Sequence, residues 1–151
     1  MNRDNSTYNN KETDLSLLEL WQWKFSDIYD LQDVIAEYIV EKALGMKESF
    51  NVGYWTLYDI EYRGKRIEIK ETGYYHSWQK EGDKISEQRT FSITKAYSNY
   101  KDNSSTYERQ NDIYVFCLNI GRTREESNPM ELNNWEFYIV PTKKINELCR
   151  R

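Results

Sequence analysis

The sequence predicts an α/β domain in which a central mixed β-sheet is flanked by helices, and three observations carry that reading. Leu31, Ile35, Tyr38 and Ile39 recur at helical spacing and form one apolar stripe. Residues 59–70 pass through Arg63-Gly64-Lys65, a turn, into alternating charged and apolar residues, the pattern of a β-hairpin. Asp112 to Asn119 and Trp135 to Val140 are largely apolar runs of strand length, as expected of strands buried in a sheet.

Each element follows from local chemistry. Residues 1–13 are polar and aperiodic and are expected to be a disordered terminus. A single domain then covers 14–151, a length that suits one core. Leu15, Leu17, Leu18, Leu20, Trp21, Trp23 and Phe25 form a dense apolar segment, read as a short helix packed on the domain or a surface for a partner. Ser26 is a candidate N-cap, with Asp27 and Asp30 in the first turn, for a helix running to Leu44 and stopped by Gly45. After the hairpin, residues 72–79 read as an aromatic loop whose rings can stack on bases or seal a core edge. Arg89 to Ile93 alternates like a third strand, with Gln88 and Arg89 at its mouth as candidate phosphate contacts. Residues 97–110 and 121–134 read as polar loops, and Pro141-Thr142 opens a terminal helix through Leu148.

Composition bounds the function. A mean hydropathy of −0.93 is low, yet 13 Tyr and 5 Trp are too many for a disordered chain. No apolar run approaches a membrane span and the start carries no hydrophobic signal region, so the expectation is a soluble, cytoplasmic protein without a membrane partner. Cys117 and Cys149 form neither a disulfide framework nor a metal-ligand spacing. His76 is the single histidine, which excludes a two-histidine metal site. The net charge of −4 weighs against nucleic acid, but the acidity is concentrated in the first 50 residues, with 10 acidic against 5 basic side chains.

The hairpin carries the chemistry. Side chains on a strand repeat every two residues, so Glu68 and Lys70 share one face while Ile67 and Ile69 turn to the core. The opposite arm brings Asp59 towards that face. Magnesium prefers carboxylate oxygens, keeps several waters, and is held by one or two carboxylates plus substrate phosphates. Asp59 and Glu68 fit that need, and a lysine beside them can orient or deprotonate the attacking water. Glu68-Ile69-Lys70 is the only Glu-x-Lys in the chain. The same alternation also suits a cross-strand charge ladder. Glu37 lies off the apolar stripe between Val34 and Val40, where it is either a solvated glutamate or a third acid for the site.

These residues, taken in order, resemble the restriction-endonuclease-like superfamily of PD-(D/E)XK nucleases. The resemblance runs from about Leu31 to Leu148 through Ala36-Glu37-Tyr38-Ile39-Val40, Tyr58-Asp59, Ile67-Glu68-Ile69-Lys70, residues 112–116 and residues 135–141. Tyr58 stands where the motif has proline. The resemblance implies Mg²⁺-dependent, or Mn²⁺-dependent, hydrolysis of phosphodiester bonds in nucleic acid, with DNA as the expected substrate. It assigns metal binding to Asp59 and Glu68, handling of the water to Lys70, and assistance to Glu37. The alternative reading is a catalytically inert module of the same fold that binds or scaffolds in a nucleic-acid-processing complex. A homodimer or a protein partner would then use residues 15–25.

Overall fold

The computed structural model describes residues 16–46, 57–80, 82–98 and 106–149. Helix α1 (Leu17–Lys24) and a 3-10 turn (Ile28–Leu31) lead into helix α2 (Gln32–Ala43). Strands β1 (Ile60–Tyr62) and β2 (Lys65–Gly73) follow, then the short β3 (Ala96–Tyr97) and β4 (Tyr107–Glu108). Strands β5 (Ile113–Asn119) and β6 (Trp135–Pro141) and helix α3 (Thr142–Leu148) complete the order. The main sheet runs β1-β2-β5-β6, with β2 and β5 parallel and the outer pairs antiparallel. It is thus a mixed sheet with helices on either side, as the sequence predicts. The proposed terminus, residues 1–13, lies outside the described residues.

The hairpin turn is a two-residue loop in which both Arg63 (φ 50°) and Gly64 (φ 72°) take positive φ. That is the turn whose twist matches two antiparallel strands, and glycine at the second position makes it accessible. Helix α2 ends as Gly45 predicts: at φ 69°, it lets its own N–H reach the Lys42 carbonyl and the Met46 N–H reach that of Glu41, both orphaned acceptors of the last turn.

Two apolar layers form because β2 and β5 alternate. Ile67, Ile69, Val115 and Cys117 face Ala36 and Val40 of α2, joined by Ile60 and Trp135. Tyr114 and Phe116 face the other way and pack with Ile145 of α3, Phe91, Ile93 and Val140. Asp112 joins strand to hairpin: its carboxylate accepts from the Arg66 N–H at 2.9 Å and from the Arg66 guanidinium at 3.3 Å.

Four expectations are corrected. The helix expected from Ser26 begins later, at Gln32. Asp27 accepts from the Tyr29 N–H and so caps a 3-10 turn, a tighter structure that uses up the predicted first turn. Arg89 to Ile93 forms no strand. Phe91 and Ile93 instead lay their alternate side chains on the α3-side core without joining a ladder. The predicted loop 97–110 contains a ladder, with Ala96 opposite Glu108 and Tyr97 opposite Tyr107. Finally, α1 forms but contributes no buried residue, and Trp23 remains 75% exposed, so core packing does not explain its apolar composition.

The β5–β6 connection depends on Gly121. Its N–H donates to Asn119 Oδ1 at 3.1 Å, and Asn119 Nδ2 donates to the Ser127 carbonyl at 3.1 Å, closing the loop tightly. A Cβ on Gly121 would collide with the backbone of Glu126 and Ser127. Gly121→Ala is expected to cost about 1–3 kcal/mol, the usual range for forcing atoms into a packed site, and a lowered urea midpoint would register it.

Candidate active site

Strand β1 is only three residues long, and beyond its pairing with Lys65–Ile67 the outer edge of β2 is left to other groups. Asp59 supplies them. Its N–H donates to the Ile67 carbonyl at 3.0 Å, and its Oδ2 accepts from the Ile69 N–H at 2.6 Å. The carboxylate therefore takes the place of the carbonyl that a longer β1 would offer. This anchors Asp59 beside the segment that carries Glu68 and Lys70.

Glu68 and Lys70 lie on one face of β2, opposite the buried Ile67 and Ile69, and form an ion pair through Glu68 Oε1. Among the described residues, Asp59 Oδ1 and Glu68 Oε2 have no hydrogen-bond partner. Helix α2 brings Glu37 to the same edge, because the preceding Ala36 is fully buried against the sheet.

The electrostatics show how these groups influence one another. Burial, then the charges of Asp59, Asp33, Glu41 and Glu68, pushes the Glu37 carboxyl up to about 7. Burial raises Asp59 above the usual carboxylate range, opposed by the Ile69 N–H bond and the charge of Lys70. Burial likewise raises Glu68; the Lys70 hydrogen bond opposes this and the Asp59 charge adds to it. Asp59, Glu68 and Lys70 therefore influence one another, and Glu37 feels the charges of both hairpin acids, so that three acids are set against one lysine. Such a donor set is short of positive charge, which is the condition a divalent cation relieves. Among the described residues no three His, Cys, Asp or Glu side chains are grouped so as to hold one ion by themselves. The fit is accordingly to two carboxylates supplemented by water and substrate oxygens.

Glu71 is a participant that the sequence pattern could have revealed. By the two-residue repeat it falls on the core face with Ile67 and Ile69, an unusual place for a carboxylate. Burial and the charge of Asp33 push it up to about 7. With Asp33 and Glu37 one helical turn apart on α2, the acids extend from Glu68 around the sheet edge to Glu71.

The expected phosphate contacts are placed differently. Arg89 donates from Nη1 to the Gly73 carbonyl at 2.7 Å and from Nη2 to that of Ser86, so it tethers the crossover segment to the end of β2. Gln88 is exposed, its backbone N–H bonded to Ser86 Oγ at 3.2 Å. The guanidinium groups of Arg89 and Arg122 lie over the Tyr74 ring, at 4.9 and 4.5 Å from its centre, and Arg122 is held by both oxygens of Glu87. His76 stacks on Trp78 with ring centres 5.4 Å apart, and burial lowers its pKa. Trp78 itself is exposed. Among the described residues, no helix is long and apolar enough to cross a membrane.

No family model, curated protein or solved structure matches the chain.

Proposed function

We propose that the chain is a Mg²⁺-dependent nuclease that hydrolyses phosphodiester bonds in DNA. The observation that carries this reading is the convergence of Asp59 and Glu68, from the two arms of one hairpin, beside Lys70 and within electrostatic reach of Glu37. Asp59 and Glu68 would hold the ion, with their bonds to the Ile69 N–H and to Lys70 keeping each carboxylate in place. The bound ion lowers the pKa of water and neutralises phosphoryl charge. Mn²⁺ would serve the same donor set.

The remaining chemistry belongs to the chain. Lys70 orients the attacking water and stabilises the negative charge that builds on the phosphoryl oxygens. Glu37, whose carboxyl titrates near neutrality, accepts a proton as that water attacks phosphorus. The P–O bond opposite the water breaks, and solvent protonates the departing oxygen.

The test is cleavage of plasmid, single-stranded and branched DNA in Mg²⁺ or Mn²⁺, with and without chelator. Wild-type protein is expected to cut in metal alone, and Glu68→Gln to lose that activity. Metal-independent binding with no cleavage of any of the three substrates would replace the enzyme with a binding module.

A further inference from the structure

Strand β6 is an edge of the main sheet, and no other described strand pairs with its outer side. The bonds from the Ile120 N–H to the Asn134 carbonyl (2.8 Å) and from the Thr142 N–H to the Asp112 carbonyl (3.0 Å) fix which backbone groups turn outward. In this register the even-numbered residues of β6 bond β5, so the odd-numbered residues 135, 137, 139 and 141 direct their N–H and C=O away from it. The Trp135 N–H is already bonded to the Leu132 carbonyl, and Pro141 has no N–H. Phe137 and Ile139 are thus left presenting complete donor–acceptor pairs at the edge.

Their side chains are also exposed, Ile139 to 72%. Both line an apolar groove of about 1180 Å³ with Tyr38, Leu44, Leu132 and Trp135. An open edge strand is normally protected by a lysine, a mid-strand proline or a bulge. Phe137-Tyr138-Ile139 has no such protection.

We propose that this edge is the interface of a two-fold homodimer in which β6 pairs antiparallel with β6 of a second copy, joining two four-stranded sheets into one of eight. One register suits the strand to itself. Centred on Tyr138, it places Phe137 opposite Ile139 of the second copy, and the reverse, so that all four outward N–H and C=O groups on each strand's pair of residues are satisfied. It also pairs apolar side chains across the axis on the groove face. The strand's single charge, Glu136, falls opposite Val140, so no like charges meet. An identical strand is thus a better-matched occupant than an unrelated one, and isologous contact of this kind closes at two copies. The exposed Met130 and Leu132 continue the apolar surface beyond the strand, adding area towards the roughly 800 Å² per partner of a stable interface.

Sedimentation of the full chain tests the stoichiometry, and a cross-link tests the register. Wild-type protein is expected to be dimeric, and Ile139→Lys to raise the dimer dissociation constant by at least about tenfold while keeping the wild-type circular dichroism spectrum. In a Cys149→Ser background, Tyr138→Cys is expected to oxidise to a covalent dimer, because opposed Cα atoms in this register lie about 4.5 Å apart. Glu136→Cys should not, since its own copy is displaced by four residues. A wild-type monomer at high micromolar concentration overturns the proposal, as does a dimer in which Tyr138→Cys fails to cross-link. Neither readout depends on cleavage, so failure here leaves the proposed hydrolysis standing.

Discussion

Lys70→Ala is expected to slow single-turnover DNA cleavage in Mg²⁺ by about 10²- to 10⁴-fold, the range for losing a positioned proton-transfer group or charge stabiliser. DNA affinity should change little, because one ammonium group is a small part of a nucleic-acid contact. The size of this loss separates two accounts of Lys70. As a member of a surface charge ladder it would contribute no more than about 1 kcal/mol of stability and nothing to rate. As a catalytic residue it acts where charge develops. A second effect follows from its bond to Glu68. That bond holds the Glu68 carboxyl below the value burial alone would give. In the variant, Glu68 should ionise at higher pH, moving the acid limb of the residual pH–rate profile upward. Lys70→Ala protein that cuts at the wild-type rate would remove Lys70 from the mechanism.

What the sequence made legible was whatever depends on short-range chemistry. Arg63-Gly64 specifies its hairpin through backbone conformation, Gly45 specifies a helix end, and the alternation of Ile67 and Ile69 with Glu68 and Lys70 specifies two faces. Those same local rules brought the hairpin acids into view. Long-range packing was less accessible. Arg89 to Ile93 has the alternation of a strand, yet with β5 on the inner side of β2, its apolar residues pack on the sheet face instead. Glu71 was concealed differently: it adjoins Lys70 as one more charged residue, and becomes unusual only when its parity with Ile69 is followed one step further. Glu37 became a member of the group through tertiary placement, which brings α2 to the edge that β1 leaves open.

The acid group also predicts an inverted pH dependence of stability. Metal-free protein is expected to be more stable near about pH 5 than near about pH 8, with a melting temperature higher by at least about 5 °C. Glu37 and Glu71 both titrate near 7 when folded, against an ordinary glutamate value of 4.5. Between those values the folded state holds more protons than the unfolded state, so stability falls as pH rises. The contribution is complete below the unfolded value and is lost as pH passes through the folded one. Asp27, Glu87 and Asp112 are shifted the opposite way, downward by arginine partners, and their contribution is lost only at more acid pH. Glu37→Gln and Glu71→Gln should therefore raise the melting temperature at the alkaline end and change it little at the acid end. Millimolar Mg²⁺ should oppose the alkaline loss, because binding to the native state adds stability and requires ionised carboxylates. That rescue should vanish in Asp59→Asn and Glu68→Gln if, as proposed, these two carboxylates hold the ion. Thermal scans that rise steadily from acid to alkaline pH would contradict the buried-acid account. Equal rescue of wild type and both variants by Mg²⁺ would place the ion elsewhere.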